Sequence, residues 1–138
     1  MKTLGKLSVL FIIGGFLYTD FELRYRGFTH WTMFILGGLC FVVVGGINRW
    51  LPWRMPIWGQ AGIGAVIITA AELVAGIILN RLMGLGVWDY SSQPLNLFGQ
   101  ICLPFIGIWY LLAALAILLD DFLRWKLFGE EKPRYTLW

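Results

Sequence analysis

Four long apolar runs constrain the fold of this chain more than any other feature. They lie at about 4–23, 29–48, 57–82 and 99–119. A helix needs about 20 mainly apolar residues to cross the hydrocarbon core of a bilayer. Only 14% of the residues are charged and 59% are hydrophobic, so the chain lacks the charged groups that cover a water-soluble domain. The sequence therefore predicts a single all-α transmembrane domain over residues 1–138, built as a four-helix bundle.

Lysine and arginine are distributed unequally over the segments between these runs. With the N-terminus in the cytoplasm, eight of them lie on the cytoplasmic side and three on the outer side. Cytoplasmic loops are enriched in Lys and Arg, so the sequence predicts that both termini are cytoplasmic. Lys2 and Lys6 precede the first run as in a signal peptide, but no small-residue cleavage site follows, and we expect a retained helix. The segment at 120–128 mixes apolar and charged residues and is expected to form an interfacial helix.

An acidic residue inside the third run is the most informative single position. Glu72 lies in a stretch that is otherwise apolar apart from Gly and Thr69. A charged side chain at the bilayer centre costs roughly 2.5 kcal/mol or more, so such groups face a bundle interior or a cavity. Helical spacing places Thr69, Glu72, Gly76 and Asn80 on one face. This stripe predicts either a helix-packing seam satisfied by hydrogen bonds or the wall of a ligand site.

The connector between the third and fourth runs is rich in aromatic and hydrogen-bonding residues. It reads GVWDYSSQPLNLFGQ from Gly86 to Gln100. Pro94 excludes a simple helical continuation, and the apolar residues around it predict a structured outer loop that folds back into the bundle. Non-helical backbone at that depth is tolerated only where it is buried in protein or lines water. The alternative is an ordinary interfacial cap, with its aromatic residues in the belt at the membrane surface.

Polar residues near the ends of the runs complete the candidate set. Glu22 and Arg26 have the i,i+4 spacing of a helical ion pair, as do Asp120 and Arg124. His30 is either the polar cap of the second helix or a group that titrates near neutral pH. In the predicted orientation most of the polar groups converge on the outer half of the bundle. The candidate ligand-binding residues are Glu72, Asn80, Trp88, Asp89, Tyr90, Asn96, Gln100, Glu22 and His30.

The sequence lacks the residues that several kinds of site require. There is no Walker A motif for phosphate binding, and one His with two Cys gives no cluster of zinc ligands. No basic patch predicts nucleic-acid binding. We therefore assign no metal, cofactor or catalytic residue. A membrane enzyme that acts on a lipid, with Glu72 and either His30 or Asp89 as acid and base, stays open as an alternative.

Paired glycines predict where the helices pack closely. Lipid gives apolar helices no hydrophobic reason to associate, so close contact depends on small residues. Such pairs occur at Gly14–Gly15, Gly37–Gly38 and Gly45–Gly46. We also expect a homo-oligomer in the lipid bilayer, because four short helices enclose little volume.

Longer motifs carry a resemblance to a known family. They are Gly14–Tyr18 with Glu22, Gly27–Met33, Gly37–Gly38, Glu72 with Gly76 and Asn80, Val87–Ser91 and Leu95–Cys102. Over Gly14 to about Asp121 the sequence resembles small bacterial membrane proteins, the CmpB-like family of ABC-transporter type IV permeases. The resemblance implies a multi-pass protein of the bacterial cytoplasmic membrane, with an ATPase or another membrane protein as a candidate partner. The polar signature carried over is Glu22, His30, Glu72, Asn80, Asp89, Asn96 and Gln100.

The favoured function is a membrane binding or transport subunit with an outward-facing polar pocket around Glu72. In this hypothesis Glu72 pairs with a cationic group or a proton, and Trp88 and Tyr90 stack on the ligand. A second hypothesis is a structural or regulatory membrane protein that holds a partner through its glycine faces. On that hypothesis Glu72 only bonds Asn80 or a neighbouring helix.

Overall fold

A computed structural model describes residues 2–137 of the chain as a mostly helical protein. The four α-helices are α1 (Thr3–Arg26), α2 (Trp31–Gly45), α3 (Ile57–Gly76) and α4 (Leu103–Phe128). A 3₁₀ turn at Gly46–Arg49 extends α2, and a π-helical segment at Ile77–Leu82 extends α3. Within residues 2–137, four helices counted with these extensions are long and apolar enough to cross a membrane. The prediction of a helical multi-pass membrane protein is confirmed at this level.

The helix ends have local causes in the sequence. α1 stops at Gly27, whose φ of 82° lies in the left-handed region that favours glycine. α2 starts at His30, whose Nδ1 accepts a hydrogen bond of 3.3 Å from the backbone N–H of Thr32. His30 therefore acts as the helix cap, which is one of its two predicted roles. α4 carries Pro104 in its first turn, where the missing N–H costs nothing.

The glycine pairs bring α1 and α2 into close contact. Gly14 faces the ring of Phe41, and Gly37 faces Tyr18. A Cβ atom added at Gly38 would lie 2.8 Å from the carbonyl oxygen of Phe11, so the two backbones touch there. The prediction that these pairs mark close helix packing is confirmed.

α2 is the central helix of the bundle. It packs against α1, α3 and α4, and α3 packs against α4, whereas α1 packs almost entirely against α2. The main core lies between the last three helices. Its fully buried members are Val44, Ile47, Ala61, Ala113 and Ile117.

α4 continues without a break through the segment expected to form an interfacial helix. Asp120 and Asp121 are fully buried there, against the end of α2. The predicted ion pair of Asp120 with Arg124 is present, with 2.6 Å between Oδ1 and Nε. Asp121 accepts hydrogen bonds of 2.8 Å from Asn48 Nδ2 and from the hydroxyl of Tyr135. The interfacial position of 120–128 stays a prediction, and the structure shows these residues as the last turns of α4.

The chain after α4 folds back along the end of the bundle. Glu130 accepts hydrogen bonds of 3.1 Å from Lys6 of α1 and from Arg49. The carbonyl oxygen of Thr136 accepts a hydrogen bond of 2.8 Å from the backbone N–H of Ile57. This N–H belongs to the first turn of α3, where helix donors lack intrahelical partners. The C-terminal segment therefore caps α3.

Candidate functional site

Glu72 is buried in the middle of the bundle between two neutral hydrogen-bond donors. Glu72 is only 3% exposed to solvent. The hydroxyl of Tyr90 donates to Oε2 at 2.9 Å, and Nε1 of Trp109 donates to Oε1 at 3.1 Å. Among residues 2–137, no Lys, Arg or His forms a salt bridge with Glu72. The carboxylate is hydrogen-bonded but has no cation of the described chain beside it.

An aromatic stack on α4 positions both donors. The ring of Tyr90 stacks on Phe105, with centroids 4.8 Å apart and planes 20° apart. Phe105 in turn packs against Trp109, one turn further along α4, at 5.8 Å. The backbone N–H of Tyr90 also donates to the carbonyl oxygen of Gly99 at 2.7 Å. The connector before α4 and the first turns of α4 therefore fix the geometry around Glu72 together.

Three of the candidate residues fasten the connector to the end of α3. Asn80 Nδ2 donates to Gln100 Oε1 at 2.9 Å, and Asn80 Oδ1 accepts from the N–H of Val87 at 2.6 Å. Nε1 of Trp88 donates to the carbonyl oxygen of Gln100 at 2.9 Å. Val87, Trp88 and Gln100 are each 5–6% exposed. Buried polar groups need hydrogen-bond partners, and the hydrogen bonds of these side chains hold the connector in place.

Two further candidates shape the turn that precedes α4. Asn96 and Leu97 pair with Ile101 and Cys102 as a short antiparallel ladder. Asn96 Oδ1 accepts from the N–H of Gly99 at 3.0 Å inside this turn. The side chain of Asp89 is exposed and accepts from the N–H of Ser91 at 2.9 Å, which lowers the pKa of Asp89 below its usual value. These bonds order the connector around Tyr90.

A cavity of about 300 Å³ lies beside Glu72. Residues of α1, α2 and α4 form most of its walls, Glu72 and Ile68 of α3 reach into it, and Glu72 is the one charged residue among them. Two of the lining residues, Leu17 of α1 and Leu115 of α4, are 46% and 59% exposed. The cavity therefore opens sideways between α1 and α4. We call the opening bordered by Leu17 and Leu115 the lateral window.

The two helices that border the lateral window meet above and below it. At one end Tyr18 packs on Trp109 and Tyr25 on Phe105, with ring centroids 6.0 Å and 5.7 Å apart. At the other end Lys6 of α1 pairs with Glu130 just after α4, at 3.1 Å. Although α1 packs mainly against α2, these side-chain contacts link it to α4 and to the segment after α4 on both sides of the lateral window.

A second cavity of about 150 Å³ adjoins the first and shares Tyr18, Phe21 and Trp109 with it. Its charged lining residues are Glu22, Arg26 and Asp89. Glu22 forms the predicted ion pair with Arg26 at 3.0 Å and accepts a hydrogen bond of 2.7 Å from Thr29. In contrast to Glu72, Glu22 has a cationic partner.

The structure groups the nine candidate residues unequally. Glu72 and Tyr90 are in direct contact. Asn80, Trp88 and Gln100 form the network behind them, and Glu22, Trp88, Asp89 and Tyr90 line the smaller cavity. Four of the nine, His30, Asn80, Asn96 and Gln100, are outside the lining of both cavities.

Three residues of the site are absent from the candidate set. Trp109 bonds Glu72 directly, and Tyr18 and Phe21 line both cavities. A tryptophan buried in a membrane helix needs an acceptor for its N–H. The carboxylate of Glu72 is one such acceptor, but the sequence does not indicate which of the eight tryptophans bonds to it.

Comparison of the chain with known proteins identifies its family. No solved structure matches the chain. A family model described as putative ABC-transporter type IV matches residues 10–128. The matched region contains Glu72, the connector and nearly all of the four helices. The chain is therefore a multi-pass membrane protein that belongs to the putative ABC-transporter type IV family.

Proposed function

We propose that this chain is a membrane transport subunit that binds its ligand in the cavity beside Glu72. The observation that carries the proposal is the cavity of about 300 Å³ whose one charged lining residue is a buried carboxylate. A buried charge without a partner is costly, and ionisable residues inside membrane bundles mark ligand or ion pathways. Family membership supports a role in transport.

Each polar residue has a defined part in this proposal. Glu72 pairs with a cationic group or a proton, while Tyr90 and Trp109 hold its two oxygens in place. Asn80, Trp88 and Gln100 position Tyr90 through the connector. The predicted stacking residues Trp88 and Tyr90 are absent from the lining of the larger cavity, and we propose Tyr18, Phe21 and Trp109 as its stacking surface instead.

The smaller cavity supports an outward-facing site. With both termini in the cytoplasm, α3 runs outward and Glu72 lies in its outer half. The smaller cavity contains Glu22 and Asp89 and shares three aromatic residues with the larger one. We propose that it joins the ligand site to the outer side of the membrane.

Occupancy of the cavity is tested by identifying small molecules that co-purify with the chain. The tagged chain is extracted from its native membranes in mild detergent and its bound molecules are analysed by mass spectrometry. Ala116 lines the cavity, and Ala116→Leu fills part of it. Ala70 is exposed on α3, so Ala70→Leu is a matched control. We expect a bound molecule in the wild type and in Ala70→Leu that is lost in Ala116→Leu. Equal recovery from all three proteins would contradict the proposal.

The ATP-dependent part of the proposal is tested in the same preparation. Because residues 1–138 contain no Walker A motif, the ATP-hydrolysing site would have to lie outside this sequence. We expect one to co-purify in stoichiometric amount, with the connector at 49–56 as its contact surface. If the chain purifies alone or only with itself, coupling to an ATPase is wrong, and the ligand cavity is then tested independently.

A packing role for Glu72 is a second candidate, favoured by the bond from Trp109. This bond links α3 to α4, as a structural carboxylate would. Glu72→Gln and Glu72→Leu separate the two roles. A packing role predicts that the Gln variant folds and keeps its bound molecule, while the Leu variant loses stability or changes oligomer size. The ligand role predicts that the Gln variant folds and loses the bound molecule.

A further inference from the structure

We propose that the ligand of this cavity is a hydrophobic organic cation that enters from the lipid phase through the lateral window. The inference rests on the proposed function and specifies its ligand class and entry route. Three features of the cavity carry it. They are the charge of Glu72, the apolar walls around it and the position of the opening between α1 and α4.

The charge of the site selects a cation. Glu72 is the one charged residue lining the larger cavity, and its hydrogen-bond donors Tyr90 and Trp109 are neutral. The nearby carboxylate of Glu22 already pairs with Arg26 at 3.0 Å. Ionised Glu72 would repel an anion, and beside a neutral ligand the carboxylate would need a proton as its counter-charge. A cation supplies that counter-charge.

The walls of the site select an organic cation over a metal ion. Ca²⁺ needs about 6–8 oxygen ligands and Mg²⁺ about six. The residues that line the cavity supply two carboxylate oxygens, both from Glu72, which is too few for either ion. The remaining walls are mostly apolar side chains with the rings of Tyr18, Phe21 and Trp109. Aromatic faces attract organic cations, and apolar walls bind the hydrocarbon part of such a molecule.

The position of the opening selects the route. On one side of the lateral window α1 contacts α4 through Tyr18 and Trp109, and on the other side Lys6 of α1 pairs with Glu130, which follows α4. Leu17 and Leu115 at its border are apolar and half exposed. In a bundle that spans the bilayer, a side opening at this height faces hydrocarbon. A hydrophobic cation that partitions into the membrane reaches Glu72 without passing through either end of the bundle.

The test uses tetraphenylphosphonium and tetraphenylborate, which share shape and size but have opposite charges. Equilibrium dialysis of the purified full-length chain in detergent measures the binding of labelled tetraphenylphosphonium. We expect saturable binding of tetraphenylphosphonium and no saturable binding of tetraphenylborate, each measured in a separate dialysis because the two ions precipitate together, and an affinity for the phosphonium lower by about tenfold or more in Glu72→Gln. Asp20 is an exposed carboxylate paired with Arg24, so Asp20→Asn is the charge-matched control and should bind as the wild type does.

A second variant tests the location of the site with Glu72 intact. Ala116→Leu should weaken tetraphenylphosphonium binding, and Ala70→Leu should not. Size-exclusion chromatography checks the fold of every variant. If Glu72→Gln does not fold, the Ala116→Leu result decides whether the cation binds in this cavity. Binding unchanged in a folded Glu72→Gln protein, or unchanged in Ala116→Leu, would overturn the inference.

Two further outcomes separate this inference from the proposed function. If tetraphenylphosphonium does not bind but Ala116→Leu still loses a co-purifying molecule, the ligand class is wrong and the cavity remains the binding site. If tetraphenylphosphonium does not bind and Ala116→Leu loses no co-purifying molecule, both proposals are wrong.

The entry route has a test of its own. A disulfide that forms between two copies carrying Leu115→Cys in native membranes would show that a second copy covers the lateral window, and this would overturn the entry route.

Discussion

Glu72 keeps its position because two donors from different elements bond to its two oxygens. Tyr90 belongs to the connector and Trp109 to α4, whereas Glu72 belongs to α3. Each donor contributes one neutral hydrogen bond, so neither cancels the charge. The arrangement fixes the orientation of the carboxylate.

Loss of either donor should destabilise the fold. Trp109→Phe removes the indole N–H and leaves Oε1 of Glu72 buried without this partner, which costs about 1–3 kcal/mol. We expect a lower midpoint of thermal unfolding in detergent, and the same direction for Tyr90→Phe. Trp31 is 69% exposed, so Trp31→Phe is the control. Equal midpoints for Trp109→Phe and Trp31→Phe would show that the bond to Glu72 contributes little.

The burial of Glu72 inside the bundle was predictable from the sequence, but its hydrogen-bond partners were not. A carboxylate within an apolar run is visible by composition alone. Trp109 follows 37 positions later in the chain and is one of eight tryptophans, so local spacing does not connect it to Glu72. Asn80 shares a predicted helical face with Glu72 yet bonds Gln100. The sequence pattern gives the face of a helix, and long-range packing decides what lies opposite it.

At the scale of the elements, α1 depends on its contact with α2. Gly38→Ala would place a methyl group 2.8 Å from the carbonyl oxygen of Phe11, so the two helices would have to separate. Overpacking of this kind typically costs about 1–3 kcal/mol. We expect Gly38→Ala to lower the unfolding midpoint. Gly107 of α4 has no atom within 4 Å of an added Cβ, and Gly107→Ala should be neutral or stabilising. A neutral Gly38→Ala would contradict this packing.

The segment after α4 gives the bundle an acid-sensitive contact at Glu130. Its partial burial acts to raise the pKa, but the hydrogen bond from Lys6 and the charges of Arg124 and Arg49 outweigh it and hold the pKa below 4.5. A depressed folded pKa stabilises the fold above the unfolded pKa, and this stabilisation is lost as the pH falls through the folded pKa.

We therefore expect the unfolding midpoint of the wild type to fall as the pH drops below about 4.5. Glu130→Gln should be less stable than the wild type near neutral pH and should lose part of this acid dependence. Thermal unfolding in detergent over a pH series measures both effects. The exposed residue Glu131 pairs with Arg134 only at the surface, so Glu131→Gln is the control. Identical pH profiles for the wild type and Glu130→Gln would contradict a stabilising role of Glu130.

The helices were more predictable than the segments that join them. Apolar runs of about 20 residues mark the spans, because the bilayer requires that length. The capping of Ile57 by Thr136 joins residues far apart in sequence. No local pattern around either residue indicates this bond, since the bond depends on how the finished bundle places the two ends.

For the whole molecule, the orientation in the membrane is open to a direct test. The positive-inside rule predicts cytoplasmic termini, which places the connector between α3 and α4 outside. Ser92 in that connector and Lys132 after α4 are both exposed. We expect a membrane-impermeant thiol reagent to label Ser92→Cys in intact cells and Lys132→Cys only in inverted vesicles. The opposite pattern would reverse the orientation and place the smaller cavity on the cytoplasmic side.

The π-helical segment at Ile77–Leu82 limits how the length of this chain can vary. Hydrogen bonds in such a segment reach five residues along the chain, compared with four in an α-helix. Deleting one residue there would let α3 continue as a regular helix, and the span would still be long enough to cross a bilayer. The residues after the deleted one would keep nearly the same positions around the helix axis, because the π-helical segment already accommodates one additional residue. A deletion in the regular part of α3 before Ile77 would instead rotate Asn80 by about 100° around the axis and away from Gln100, so a chain shortened there would insert normally and still fail to bring Tyr90 to Glu72.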